Sequence, residues 1–126
     1  MLFNKIHHVA IIVSDYEKSK HFYTEILELP IIREVYRVER HSYKLDLKIG
    51  DSEIELFSFP NPPKRKSDPE AVGLRHLCLS TENVEIAVEE LKKKGIVCES
   101  IRIDESTNTP YTFFKDPDGL PIELKE

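Results

Sequence analysis

The chain is poor in sulfur chemistry, in long apolar runs and in positive charge. Cys78 and Cys98 are the only two cysteines among 126 residues. They have no CxxC spacing and not the density of a disulfide framework, so they read as free thiols and redox chemistry gets little support. No apolar run approaches the roughly 18 to 20 residues of a membrane-spanning helix. The N-terminus, MLFNKIHHVAIIV, runs straight into patterned sequence without a cleavage signal. The reading is a cytoplasmic protein with no membrane partner. Acidic residues outnumber basic ones, 23 to 18, for a net charge of −5, which argues against nucleic acid as a partner.

What is present is a balance of 40% hydrophobic and 33% charged residues, that of a soluble globular protein. A chain of 126 residues is one domain's worth, long enough to bury about two-thirds of its unfolded surface.

The strongest internal signal is a repeat. His8 begins HVAIIVSD and His76 begins HLCLSTEN, 68 residues later; the tripeptide Ile54, Glu55, Leu56 recurs at the same interval as Ile122, Glu123, Leu124. Each half therefore sets a His and a Glu 47 residues apart, as expected of one supersecondary unit used twice.

Period-two alternation predicts a strand over Ile6 to Val13, and Ser14 and Asp15 are N-cap candidates for a helix from about Tyr16 to Leu27. Pro30 ends that helix, and strands are expected at about Ile31 to Glu39, Ser42 to Ile49 and Ser52 to Phe59. The first module reads βαβββ. PNPPKRKSDPEAVG, from Pro60 to Gly73, has four prolines and no hydrophobic period, so it reads as a stiff linker with a solvated basic triplet, Lys64, Arg65 and Lys66. The second module repeats the order. A strand is expected at Leu74 to Ser80, then a helix capped by Asn83 or Thr81 and ended by Gly95. Strands follow at about Val97 to Ile103, Pro110 to Lys115 and Leu120 to Lys125, the last two joined through the turn Asp116, Pro117, Asp118, Gly119. One domain spans 1–126: module one about 1–60, the linker about 60–73, module two about 74–126. The fold class is α+β.

In both first strands the larger hydrophobes (Val9, Ile11, Val13; Leu77, Leu79) lie opposite the histidine. Helices are expected on that side, which leaves His8 and His76 on the concave face. Glu55 and Glu123 point there too when Ile54, Leu56, Ile122 and Leu124 face the helices. Two neutral imidazoles and two carboxylates suit a borderline divalent metal with positions left for water or substrate. Among the other histidines, His7 aligns in the repeat with Arg75, which binds no cation; His21 falls on a helix and His41 has no repeat partner, so both read as surface residues.

Paired βαβββ modules, HHVAIIVSD, IELF, LRHLCLS and above all FFKDPDGLPIEL resemble the vicinal oxygen chelate superfamily, the glyoxalase/bleomycin-resistance fold, over the whole chain. The match is closest to the glyoxalase I (lactoylglutathione lyase) branch. The resemblance implies a curved mixed sheet with helices outside and a metal cup of His8, Glu55, His76 and Glu123, loaded with nickel, cobalt or zinc. It implies a homodimer acting on a small-molecule substrate: a lyase or isomerase carrying a 2-oxoaldehyde hemithioacetal through an enediolate. Glu123 matches the proton-shuttling base and Glu55 the opposing carboxylate. The alternatives are an epimerase of a 2-substituted thioester, a ring-cleaving dioxygenase, against which Glu55 weighs, and a non-catalytic small-molecule binding module. One position departs: glutathione-using members carry an arginine four residues after the first ligand, where this chain has Ile12.

Overall fold

The structure, a computed structural model, describes residues 1–126. Eight strands and two principal helices fall into two compact units, Met1–Lys64 and Arg65–Glu126. No helix is long and apolar enough to cross a membrane.

In the first unit, β1 (His8–Val13) leads into α1 (Tyr16–His21), where the Asp15 side chain accepts from the Lys18 amide. Strands β2 (Ile31–Arg37), β3 (Ser42–Ile49) and β4 (Ser52–Ser58) follow, in the sheet order β1-β4-β3-β2. The β1–β4 pair is parallel and the others antiparallel, so the sheet is mixed. Cross-strand pairs Leu45–Leu56 and Leu47–Ile54 are fully or almost fully buried. With Val13 and the helix-borne Tyr16, Phe22 and Tyr23 they make the core. Each such aliphatic contributes on the order of 1.5–3 kcal/mol by leaving water.

The second unit repeats the plan with β5 (Leu77–Ser80), α2 (Val84–Lys93), β6 (Arg102–Asp104), β7 (Thr109–Lys115) and β8 (Pro121–Lys125), in the order β5-β8-β7-β6. Asn83 caps α2 by accepting from the Ile86 amide at 2.9 Å. Phe114, Ile122 and Leu124 are buried with Val84 and Leu91 of α2. The final turn is held by one carboxylate: Asp116 Oδ1 accepts from the Asp118 and Leu120 amides, both at 2.9 Å, while Gly119 takes φ +84°.

Three elements differ from the sequence expectation. The first helix stops being an α-helix at His21 and widens into a π-helical turn over Phe22–Ile26, where the Leu27 amide donates to the Phe22 carbonyl. The Thr24 hydroxyl donates to the Lys20 carbonyl there, a local competitor for the regular ladder, and two successive rings, Phe22 and Tyr23, both enter the core. β5 begins at Leu77 rather than Leu74, because Arg65 Nη2 donates to the Leu74 and Arg75 carbonyls (3.0 and 2.8 Å). A guanidinium occupies acceptors that a longer strand would give to a neighbour. The strand expected over Val97 to Ile103 shrinks to Arg102–Asp104. Upstream of it only Glu99 reaches β7, through its amide to the Phe113 carbonyl and its carbonyl from the Thr112 hydroxyl. Val97, Ile101 and Ile103 alternate as strand residues do yet lie exposed.

Candidate metal centre

Ladder register decides where the His and Glu side chains go. β1 and β4 pair His8 with Glu53 and Ala10 with Glu55. Residues opposed across a ladder share a face and alternate with period two, so Glu55 lies on the face of His8. His8 Nδ1 stands 3.5 Å from Glu55 Oε2. In the second unit β5 and β8 pair Cys78 with Glu123, and His76 precedes Cys78 by two. His76 Nε2 stands 3.1 Å from Glu123 Oε1. Both ladders join partners 45 residues apart, so the two units build the same pair by the same register.

Both carboxylates are largely enclosed, with side-chain exposures of 11% for Glu55 and 14% for Glu123. A carboxylate so placed is costly without nearby positive charge. Imidazole nitrogen and carboxylate oxygen are donors of the kind that hold borderline divalent ions, and this donor set fits such an ion. In neither unit does a group of three or more His, Cys, Asp or Glu side chains gather into a metal-holding cluster. One unit alone thus offers one imidazole and one carboxylate.

The residues before the two histidines, His7 and Arg75, keep the 68-residue interval but differ in chemistry. Arg75 Nη1 lies 3.1 Å from His76 Nδ1, and His7 Nδ1 lies 3.0 Å from His8 Nδ1, so the repeat extends to a polar residue against each first-strand imidazole. Arginine only donates. His76 Nδ1 therefore accepts, and the ring proton of the neutral imidazole sits on Nε2, facing Glu123.

The two carboxylates have different surroundings. Glu55 is opposed across the ladder by Asp46, and Lys44 offsets the like charges, with Nζ 2.6 Å from Asp46 Oδ1 and 3.8 Å from Glu55 Oε1. Burial pushes the Asp46 carboxyl up, but the hydrogen bonds from Lys44 and Arg33 outweigh it and hold it below the usual aspartate range. Glu123 is opposed instead by Phe113, whose ring meets His76 edge-on at 5.1 Å. Its other neighbour is Cys78, paired with it across the β5–β8 ladder, whose thiol is pushed up by burial and then by the Glu123 charge. His21 and His41 are exposed, His41 at a left-handed backbone position, φ 47°.

Comparison with known proteins shows the family of the chain. The chain is 57% identical over 127 residues to an uncharacterized protein of Bacillus subtilis, YwkD, covering 100% of this chain and 99% of that one. It is 30% identical to human mitochondrial methylmalonyl-CoA epimerase, over 97% of this chain and 73% of the epimerase. Among solved structures, the glyoxalase family protein from Enterococcus faecalis matches with a TM-score of 0.94 and 48% identity, covering 100% of both chains. The glyoxalase family model matches residues 5–124, and the chain belongs to the Glyoxalase/Bleomycin resistance protein/Dioxygenase superfamily.

Proposed function

We propose that the protein is a metal-dependent lyase or isomerase of the glyoxalase I type, which moves a proton at the carbon beside a carbonyl in a small 2-oxoaldehyde hemithioacetal. The observation that carries this reading is the duplicated His–Glu pair, set by the same ladder offset in both units. His8, Glu55, His76 and Glu123 would hold one nickel, cobalt or zinc ion. When bound, the ion supplies positive charge where two neighbouring substrate oxygens become negative. Glu123 takes the proton from one carbon and returns it to the next. Glu123 suits this role better than Glu55 because its neighbours are a phenyl ring and a weakly donating thiol, whereas Glu55 is tethered by the Lys44 ammonium. The same reading gives a homodimer working in the cytoplasm.

Similarity to the human epimerase, together with Ile12, supports a second reading: proton removal from, and return to, one carbon of a 2-substituted thioester. Turnover of methylglyoxal with a panel of thiols, and deuterium exchange into a 2-methylmalonyl thioester, separate the two on nickel-, cobalt- and zinc-loaded protein. Glu123→Gln is expected to abolish either activity with metal still bound. Wild-type protein that holds metal yet neither turns over nor exchanges would leave a non-catalytic binding module.

A further inference from the structure

The second unit carries a cleft of about 260 Å³ between the segment Arg65–Ala71 and the β7 side of its sheet. That is below the roughly 300–1,000 Å³ of pockets that take whole drug-sized ligands, so it suits a group rather than a molecule. Five cations line it: Arg65, Lys66, Arg75, Arg102 and Lys115. Two are neutralised, Arg75 by Glu70 and Arg102 by Glu99, each at 3.1 Å. Arg65 donates to Ser67 and to the Leu74 and Arg75 carbonyls, which fix its position and leave its charge uncompensated. Lys66 and Lys115 are exposed and have no acidic partner. Three positive charges thus face one small concavity in a chain whose net charge is −5.

The cleft abuts the His76–Glu123 pair. Phe113 lines it, pairs with Glu123 across the ladder and touches the His76 ring; Arg75 lines it and donates to His76. A carboxylate would answer one of the three charges, whereas a phosphate ester brings about −1.5 to −2 at pH 7 and three acceptor oxygens.

We infer that this cleft seats a phosphate group on the non-reacting arm of the substrate, so that the substrate is a phosphorylated carbonyl compound whose reactive carbon lies at His76 and Glu123. The second half of the inference rests on the proton-transfer reading above; the phosphate site does not.

The test is a titration of the metal-free, nitrogen-15-labelled full chain with methyl phosphate, followed by amide NMR. Saturable shifts at Lys66, Ser67 and Lys115 are expected, with acetate binding about fivefold more weakly or worse. Lys66→Glu with Lys115→Glu, both on exposed side chains, should weaken methyl phosphate at least about tenfold by reversing two charges, without change in melting temperature. Absence of saturable shifts, acetate binding as tightly as methyl phosphate, or undiminished binding in the double variant would each overturn the assignment. His8→Ala, in the other unit, should leave phosphate binding intact. If the wild-type chain binds no nickel, cobalt or zinc while the phosphate shifts persist, the cleft stands and the proton-transfer reading fails. Normal metal affinity without phosphate shifts gives the reverse.

Discussion

Replacing Arg75 should tighten, not weaken, the binding of a divalent ion. The nitrogen of His76 that faces Glu123 is Nε2, and it carries a proton because Nδ1 accepts from the Arg75 guanidinium 3.1 Å away. To offer Nε2 as a bare donor, the ring must move its proton to Nδ1, and a protonated Nδ1 cannot accept from arginine. Metal affinity is therefore reduced by the free energy of the Arg75–His76 hydrogen bond. A bond from a charged donor contributes roughly 1.5–3 kcal/mol. The Arg75 side chain is 61% exposed and also engages Glu70, so solvent screening brings this to about 0.5–1 kcal/mol. Arg75→Ala should then tighten zinc or nickel binding by about two- to fivefold. Arg75→Gln should tighten it at least as much, since its amide oxygen accepts from a protonated Nδ1. Competition against a colorimetric chelator measures the affinity, and imidazole nitrogen shifts report the tautomer. An Arg75→Ala affinity equal to or weaker than wild type, or a metal-free His76 already protonated on Nδ1, would refute the reasoning.

Asp116→Ala removes a buried acceptor of two backbone amides and should cost about 1–3 kcal/mol, lowering the melting temperature by roughly 3–10 °C by calorimetry; a change under about 1 °C would show that the turn stands without it. Asp46 titrates below its ordinary range, so its contribution is complete above about pH 4 and is lost as pH falls through the depressed value. D46N should show a shallower loss of stability on acidification in urea melts, and a slope identical to wild type would sink that account. Mixing inactive His8→Ala and His76→Ala proteins under conditions of subunit exchange tests whether the centre draws on two chains. Recovered activity requires sites shared between subunits, and none is expected if each site lies within one.

Most of the architecture was legible because it is written in local, periodic signals. The β-branched alternation of HVAIIV, the Asn83 cap and the Asp116–Gly119 turn each specify their element without help from distant residues. The 68-residue interval identified His8, Glu55, His76 and Glu123 as two pairs, since only a repeated register makes the same two residue types recur at the same spacing. What stayed hidden depends on single contacts. Nothing periodic tells that Arg65 occupies the carbonyls of Leu74 and Arg75, or that a threonine hydroxyl accompanies the widened turn after His21. The basic triplet Lys64, Arg65, Lys66 reads as solvated surface; two of its members line a cleft because β7 brings Lys115 and Phe113 to the opposite wall. Arg75 and Lys44, which distinguish the surroundings of the two pairs, are ordinary strand charges until their neighbours are known.

The common ladder offset means that the core proofreads the site. A slip of β4 by one residue would swing Glu55 to the far face, and the same slip would expel Ile54 and Leu56, which are 2% and 0% exposed, into water. Losing two such side chains costs about 3–6 kcal/mol, a large fraction of what holds a small domain folded. Misplaced ligands therefore occur only in chains that are already failing to fold. The distance between imidazole and carboxylate is thus set by the β1–β4 and β5–β8 registers, and turns elsewhere in each unit can change length without disturbing it so long as the core strands keep their pairing.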